Sequence, residues 1–368
     1  MRFSSRLAIC FLLLGLFLLM FACFSYCDEF EKATQNRAIT FPRDHGKHPD
    51  FETEWWYFTG NLASKNHEWG TQLTFFRRGL FKKPARNGST WRVRDLYPAH
   101  FAITDITDNK FFHTQIISRK GPGLSGAAND SLNVHIRNWS ASQNGEKIRI
   151  KAKEERYAID LTLTPEKPVV LHGDKGFSVK GSDMNQASYY YSYTRLSAQG
   201  TLSFDGVEHQ VSGLMWMDHE FGSSILSKDQ VGWDWFSIQF DDKTELMAFH
   251  LRNQDGSFDK PFATFVDSSG NYVHLSGDSI SITPTNFWVS PHTKARYPLE
   301  WVIEVPEKKL KLKIVPAIRD QELTAKRGGE TSYWEGAARV TGVVGNQPVR
   351  GSGYVELTGY AKSMGGQL

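Results

Sequence analysis

Carboxylic acids recur beside tryptophan in this sequence, and they are the residues best placed to do chemistry. The pairs are Glu54-Trp55, Trp216-Met217-Asp218, Trp233-Asp234-Trp235 and Trp334-Glu335. A carboxyl group buried in an aromatic wall has a raised pKa, because burial penalises its charged form. Such an acid stays protonated near neutral pH and can give its proton to a substrate. The pattern therefore indicates acid catalysis on an apolar molecule, or binding of one.

The segment Asp218-His219-Glu220 is the strongest of these candidates, because three ionisable residues lie between an apolar strand and Phe221-Gly222. Residues two apart on a strand share a face. We therefore expect Trp216, Asp218 and Glu220 to line one side while His219 points to the other.

The same alternation puts Trp233 and Trp235 on one face opposite Asp234, and it groups Glu54 with Trp56. Two sets of candidates follow. The candidate catalytic residues are Asp218, Glu220 and Asp234. The candidate ligand-binding residues are Glu54, Trp56, Trp216, Trp233, Trp235, Trp334 and Tyr354.

A structural interpretation competes with the catalytic one for every pair. The tryptophans would fill the interior, and the acids would pair with arginines such as Arg77, Arg252 and Arg339. Buried ion pairs of this kind also shift carboxylate pKa values without any catalytic role.

Metal and cofactor sites are less well supported. His45 and His48 are followed by Asp50, but Gly46 and Pro49 predict a loop with no third nitrogen ligand nearby, which favours a solvated turn over zinc. No Gly-x-Ser-x-Gly elbow or phosphate loop is present, and no Gly-x-Gly-x-x-Gly motif opens a predicted helix, as a dinucleotide fingerprint requires. We therefore disfavour a classical serine hydrolase or a nucleotide enzyme, and we expect no metal and no cofactor.

Composition narrows the classes further. The chain has 368 residues, 43 Lys+Arg against 40 Asp+Glu, and 13% aromatic residues. This balance is typical of a soluble globular protein, and it lacks the basic excess of a nucleic-acid-binding protein. The aromatic load indicates that something large and apolar is buried or bound.

The first 27 residues read as an export signal or lipoprotein leader. Arg2 and Arg6 precede an uncharged apolar stretch that ends at Cys27. Cleavage after a small residue such as Ser25, lipidation at Cys23 and retention as a membrane anchor stay open, with cleaved export favoured. We expect an exported protein, periplasmic or envelope-associated, whose membrane contact is through the leader or a lipidated Cys23.

The rest of the chain is predicted to be almost entirely antiparallel β-structure with minor helix. Apolar residues alternate from Leu299 to Val305 and again from Leu310 to Ile314, on both sides of a polar turn, which predicts a hairpin with one buried face. So many short strands favour closed barrels, since closure removes exposed edges. Such a barrel has room inside for side chains or one small apolar ligand.

A weak similarity between two segments of the sequence predicts two related domains. The segments 55–62 and 233–240 are both aromatic-rich, and each is followed by a turn and a second apolar strand. We place an N-terminal β domain at 28–225 and a C-terminal β domain at 226–368.

Four ordered motifs make the chain resemble a known family over nearly its whole exported part. They are His48-Pro49 through Glu54-Trp55-Trp56-Tyr57-Phe58-Thr59-Gly60-Asn61-Leu62, Gly213 through Gly222, Gly232 through Phe236, and Tyr333-Trp334-Glu335-Gly336-Ala337 with Gly353 through Tyr360. These residues resemble the AttH branch of the carotenoid 1,2-hydratase (hydroxyneurosporene synthase) family.

The resemblance implies two tandem lipocalin-like β-barrel domains in an exported protein often labelled a secreted hydrolase and found beside an ABC-type transport system. The hydratases themselves add water across a terminal double bond of an acyclic carotenoid. That reaction needs an acid to protonate the alkene, aromatic faces to stabilise the cation, and a water to capture it. Asp218, Glu220 and Asp234 beside their tryptophans are candidates for the acid.

Two functions follow from these observations. The first, which the sequence favours, is an exported lipocalin-like protein that binds or carries an apolar lipid or isoprenoid ligand. Its support is the aromatic load, the barrel pattern and the lack of a nucleophile–base signature. The second is an acid-catalysed hydratase or hydrolase acting on an apolar substrate.

Overall fold

The structure is a computed structural model that describes residues 29–82, 93–121, 123–181, 184–223, 226–326 and 331–365. The predicted leader and all three cysteines lie outside the described residues.

The first sheet has thirteen antiparallel strands, formed by the first part of the chain. Eleven of them follow the order β4-β3-β2-β1-β13-β12-β9-β8-β7-β6-β5, and β10 and β11 pair with β12. Their bounds are β1 Thr53–Ala63, β2 Glu68–Gly79, β3 Asp95–Asp105, β4 Lys110–Arg119, β5 Ser125–Ala127, β6 Asn133–Ile136, β7 Trp139–Asn144, β8 Lys147–Lys153, β9 Tyr157–Pro165, β10 Val170–Leu171, β11 Phe177–Val179, β12 Ala187–Phe204 and β13 Val207–Gly222.

The second sheet has ten antiparallel strands. Nine follow the order β17-β16-β15-β14-β23-β22-β20-β19-β18, and β21 pairs with β22. Their bounds are β14 Gln230–Phe240, β15 Glu245–Asn253, β16 Phe262–Val266, β17 Tyr272–Ser276, β18 Ser281–Val289, β19 Arg296–Val305, β20 Leu310–Pro316, β21 Glu322–Leu323, β22 Tyr333–Val344 and β23 Gln347–Leu357.

Helix is confined, within the described ranges, to three short 3₁₀ turns: Arg43–His45, Gly277–Ser279 and Pro306–Lys308. The all-β prediction with minor helix is confirmed. Both sheets are curled, one nearly into a barrel and one into half a barrel. The hairpin predicted from alternation is also confirmed as β19 and β20, with every second residue buried.

Across the part of the chain that the structure describes, no helix is both long and apolar enough to span a membrane.

Each sheet encloses its own apolar core, because alternate residues of its strands point inward. Trp69 and Trp139 belong to the core of the first sheet, and Trp301 and Trp334 to that of the second; all four are buried. These rings fill the interior of each curled sheet.

Buried polar contacts join the two sheets. The carboxylate of Glu245 on β15 accepts hydrogen bonds from Lys167 Nζ at 2.7 Å and from Arg195 Nε on β12 at 2.5 Å. Gln239 Nε2 on β14 donates to the carbonyls of Thr194 and Met215, at 2.8 and 3.0 Å. These contacts fix how the second sheet lies against β12 and β13.

Replacing Glu245 with Gln should destabilise the protein by about 3–5 kcal/mol, because Lys167 and Arg195 would keep their charges in a buried site without a counter-ion. Urea unfolding measures the change in the free energy of unfolding. Glu68→Gln is the control, since Glu68 pairs with Arg339 at the exposed surface, where an ion pair contributes little. Equal unfolding curves for Glu245→Gln and the wild type would contradict the structural role of this ion pair.

Candidate active site between the two sheets

A cavity with an empty volume of about 900 Å³, part of it an open mouth, lies between the two sheets. Of the two contents that the sequence left open for a barrel interior, side chains or a small apolar ligand, the structure shows side chains: large apolar residues fill the interiors of both curled sheets. The first sheet contributes Trp55, Tyr57, Tyr190, Asp218 and Glu220 to the lining, and the second contributes Trp233, Trp235, Phe249, Leu251 and Glu356.

The alternation of β13 decides which of its residues reach this cavity. Asp218 and Glu220 line it, as their spacing predicts. Trp216 packs with Tyr57, Tyr190 and Trp235 behind the lining rather than in it. His219 points to the opposite side of the strand, where it contacts Trp56.

Three side chains donate hydrogen bonds to the carboxyl group of Asp218. Tyr190 OH reaches Oδ2 at 2.7 Å, Trp216 Nε1 reaches Oδ1 at 2.6 Å, and Ser192 Oγ also donates to Oδ1. Trp235 Nε1 donates in turn to Tyr190 OH at 3.0 Å. The carboxyl group is therefore held in one orientation at the cavity wall.

Burial raises the pKa of Asp218 to about 7, with a smaller contribution from the negative charge of Glu220. The hydrogen bonds from Ser192, Tyr190 and Trp216 oppose the shift without cancelling it. A carboxyl group with a pKa near neutrality can both give and take a proton under ordinary conditions.

Glu220 lies two residues further along the wall and is paired with a cation. Lys180 Nζ lies 2.8 Å from Glu220 Oε1, and it also lies 4.8 Å from the ring centres of Tyr190 and Phe249. This ion pair gives the apolar cavity one polar end.

Two more buried carboxyl groups come from the second sheet. Glu356 lines the cavity and accepts a hydrogen bond from Trp233 Nε1 at 2.7 Å. Glu335, its cross-strand neighbour, is fully buried. The hydroxyl groups of Tyr57 and Tyr333 lie close enough to favour the charged form of Glu335. Neither carboxylate oxygen of Glu335 has a partner with hydrogen-bond geometry among the described residues. Burial is the main cause that raises the pKa of both acids. The negative charge of Glu356 adds to the shift of Glu335, and the charges of Asp218 and Glu220 add to that of Glu356.

A histidine–tyrosine pair lies in the same lining. His100 Nδ1 is 2.7 Å from Tyr333 OH, and the two residues come from different sheets. Burial lowers the pKa of His100 to about 3, so this imidazole is neutral at physiological pH.

The structure places the other candidates away from the cavity. Asp234 lies on the far face of β14, where it contacts His250 Nε2 at 2.7 Å and Arg252 at 3.4 Å. Trp334 is packed in the core of the second sheet, and Tyr354 lies beside Glu335 without lining the cavity.

Glu54 and Trp56 also point away from the cavity, while Trp55 and Tyr57 between and after them line it. Arg77 Nε lies 3.8 Å from Glu54 and 3.4 Å from Asp95. The structural interpretation thus describes the surroundings of Glu54 and Asp234, but no arginine pairs with Asp218 among the described residues.

A buried network surrounds Glu54. Its Oε1 lies 2.7 Å from His48 Nδ1 and 3.0 Å from His219 Nε2, and His48 Nε2 contacts Asp44 at 2.9 Å. His45 and His48 are 3% and 2% exposed, so the prediction of a solvated turn is wrong. Instead, His45 contacts the hydroxyl group of Tyr191, and the ring of His48 stacks on Phe221.

The donor atoms of His48, Glu54 and His219 lie within 4.8 Å of one another, a spacing that could hold a metal ion. The two imidazoles bond to the same carboxylate oxygen, and Arg77 adds positive charge beside it. Shared hydrogen bonds and a neighbouring cation favour a proton-linked network over a dication at this position.

The sequence reasoning missed Lys180, Tyr190, Tyr333 and Glu356. Glu356 carried a usable signal, since it alternates with Tyr354 within a motif that was already noted. Lys180 lies between strands, so no periodicity could place it.

Comparison with known proteins agrees with this architecture. The model of the AttH-like family matches residues 32–360. The chain belongs to the AttH-like family. An AttH crystal structure from Nitrosomonas europaea is 34% identical, with a TM-score of 0.81 over 90% of this chain and 100% of that one. The expected AttH resemblance is confirmed.

Two more distant relatives of this AttH-like chain carry activity names. Kievitone hydratase from Nectria haematococca is 16% identical, with a TM-score of 0.68 over 91% of this chain and 97% of that one. Dehydratase asqC from Emericella nidulans is 20% identical over 245 residues, which is 65% of each chain. The AttH-like chain thus spans about two thirds of asqC.

Asp218 should make stability fall as pH rises. Because its folded pKa of about 7 exceeds its ordinary value, the folded state keeps a proton that the unfolded state releases between pH of about 4 and about 7. We expect the free energy of unfolding to fall across this window by up to about 1.4 kcal/mol per pH unit in the wild type, and less steeply in Asp218→Asn.

Urea unfolding at several pH values measures both slopes. Asp160→Asn is the control, because the hydrogen bond from Arg149 lowers the pKa of this partly exposed carboxyl group and moves its titration below the window. Parallel curves for the wild type and Asp218→Asn would show that Asp218 is ionised throughout.

Proposed function

We propose that this AttH-like protein is a hydro-lyase that adds water to, or removes water from, an apolar substrate held between the two sheets. The observation that carries the proposal is the buried acid Asp218, whose pKa is about 7, set in a wall of aromatic rings. An acid of this pKa is the kind that general acid catalysis requires.

The distant relatives support the same reaction class. One structural relative is a hydratase and one sequence relative is a dehydratase. Both reactions move one water molecule on or off carbon, in opposite directions. A single site with an acid and a base serves either direction, since the transition state is shared.

Asp218 acts first in the hydration direction. Its O–H proton moves to one carbon of a double bond, the π electron pair forms the new C–H bond, and the other carbon becomes a cation. Trp55, Trp233 and Trp235 line the cavity where this charge develops. Aromatic faces stabilise cations through their electron-rich surfaces.

Water then completes the reaction. Its oxygen forms a bond to the cationic carbon, and Glu356 takes the proton that this water loses. Glu356 suits this role because it faces the same cavity and its raised pKa makes it a stronger base than an ordinary carboxylate. Dehydration uses the same groups in reverse, with Asp218 protonating the leaving hydroxyl group.

The lining also indicates the kind of substrate. Most of the wall is aromatic or aliphatic, which suits an isoprenoid or aromatic skeleton. The Lys180–Glu220 pair at the wall suits a hydroxyl or carbonyl group on that skeleton. Exposure of Asp218 is only 4%, so a bound apolar substrate would complete its separation from water.

The second candidate function is binding or transport of an apolar ligand without turnover, and the aromatic lining favours it equally. Export to the envelope, membrane contact through the leader and association with an ABC-type transport system remain parts of this proposal, resting on the leader sequence and the family resemblance. A carrier needs the cavity but not the acid.

Asp218→Asn should separate the two functions. An amide has no proton to donate, so we expect hydration or dehydration to fall by about 100-fold or more, while binding of an apolar fluorescent probe stays within a few-fold of the wild type. Mass spectrometry of isoprenoid and polyketide mixtures, incubated with the full chain, detects the gain or loss of one water.

Asp234→Asn is the matched control. Asp234 is also a buried aspartate on a strand, but it faces away from the cavity, so turnover per folded molecule should stay within a few-fold of the wild type. If a substrate turns over equally well with Asp218→Asn, the proposed role of Asp218 is wrong. If probe binding persists and no preparation shows turnover, the carrier function is favoured.

A further inference from the structure

A continuous chain of hydrogen bonds runs from Asp218 to the protein surface without passing through the cavity. Ser192 Oγ donates to Asp218 Oδ1, and it lies 2.7 Å from His172 Nε2. His172 Nδ1 lies 2.9 Å from Thr264 Oγ1, which is 3.0 Å from His274 Nδ1. None of the four residues beyond Asp218 belongs to the cavity lining.

The sheets hold this chain in place. Ser192 on β12 is the direct cross-strand partner of Asp218 on β13, and Thr264 on β16 is the direct partner of His274 on β17. His172, just after β10, connects the pair in the first sheet to the pair in the second. The chain therefore exists only because the two sheets pack together.

This chain of hydrogen bonds is shielded from solvent at one end and exposed to solvent at the other. Ser192, His172 and Thr264 are all 0% exposed, whereas His274 is exposed at the surface. These three interior side chains are thus joined by hydrogen bonds to one another and to Asp218, and among the described members of the chain His274 is the one exposed to water.

The donors of all four hydrogen bonds point the same way. Ser192 has one hydroxyl proton and gives it to Asp218, so His172 Nε2–H must donate to Ser192. Burial lowers the pKa of His172, which keeps its imidazole neutral, and its Nδ1 must then accept from Thr264. Thr264 in turn accepts from His274 Nδ1–H. Every proton is directed toward Asp218.

We infer that Ser192, His172, Thr264 and His274 form a proton relay that returns a proton from solvent to Asp218 while an apolar molecule fills the cavity. The inference rests on the proposed function, because it is the donation by Asp218 that creates the need for a new proton. The four residues are relay residues and do not touch the substrate.

One proton moves along the relay for each proton that Asp218 gives up. Water at the surface protonates His274, whose Nδ1 proton passes to Thr264 as the Thr264 hydroxyl proton passes to His172 Nδ1. His172 releases its Nε2 proton to Ser192, and the Ser192 hydroxyl proton passes to Asp218. His274 is left neutral with its proton on Nε2. The chain resets by rotation of the two hydroxyl groups and by tautomer exchange at His172 and, through solvent, at His274.

The cavity itself explains why a separate route is useful. When it is empty, water enters through its mouth and can exchange protons with Asp218 directly. A bound apolar molecule expels that water, as closed active sites generally do. The relay then connects Asp218 to solvent through a different part of the surface.

The test follows the proton on Asp218 and needs no substrate. The full chain, with its cavity saturated by N-phenyl-1-naphthylamine, is mixed rapidly with D₂O at pH of about 6, one unit below the pKa of Asp218. Infrared spectroscopy records the shift of the protonated carboxyl band, which is identified by its loss in Asp218→Asn.

Two variants interrupt the relay at different points. Thr264→Val removes an internal link with little change of shape, and His274→Ala removes the exposed entry residue. We expect each to slow the exchange by at least about tenfold. Added imidazole should restore the rate in His274→Ala, where it can replace the surface group, but not in Thr264→Val. A purely structural role would show no such difference.

Thr59→Val is the matched control, because Thr59 is fully buried and its hydroxyl group has no hydrogen-bond partner among the residues that the structure describes. Its exchange rate should equal that of the wild type. Equal rates in the wild type and Thr264→Val with the cavity filled would overturn the relay. That result would leave the turnover comparison of Asp218→Asn untouched, so the relay and the proposed function can fail separately.

Discussion

The two-residue alternation of β13 is the constraint on which the rest of this molecule depends. β13 pairs with β1 on one side and β12 on the other, so Asp218 lies directly between Tyr57 and Ser192. A shift of one residue in either pairing would turn His219 toward the cavity and Asp218 into the buried histidine network. The long ladders of both pairings make that shift costly, and they thereby fix the chemistry of the cavity wall.

The same buried surroundings that make Asp218 useful also make it unfavourable for folding. A carboxyl group that keeps its proton up to a pH of about 7 in the folded state makes that state progressively less stable as pH rises from about 4 to about 7. Glu335 and Glu356 act in the same direction. The surrounding protein compensates with large apolar cores and with the buried contacts of Glu245 to Lys167 and Arg195. The contacts that stabilise the fold thus lie away from the cavity, whose wall holds the unfavourably buried carboxyl groups.

Much of the fold was predictable, because strand periodicity is a local property. The all-β class, the hairpin of β19 and β20 and the opposite orientations of Asp218 and His219 all follow from alternation. Which acids line the cavity and which belong to buried ion pairs was not predictable in this way. Glu54 and Asp234 have the same local pattern as Asp218, yet Arg77 and Arg252 lie beside them on neighbouring strands. Tryptophan next to an acid identifies a buried carboxyl group, but only pairing across strands decides its role.

The position of the cavity could not be predicted from the sequence either, because it depends on how the two sheets pack together rather than on how each sheet forms. The opposite walls of the cavity come from different parts of the chain, and the distance between the two sheets sets the size of the cavity. In a lipocalin-type barrel, the number of strands limits the internal diameter. Here, a few substitutions at the contact between the sheets could widen or narrow the chamber while both hydrophobic cores stay intact. In an architecture of this kind, substitutions at the contact between the sheets can accommodate new substrates without any change in the number or pairing of the strands.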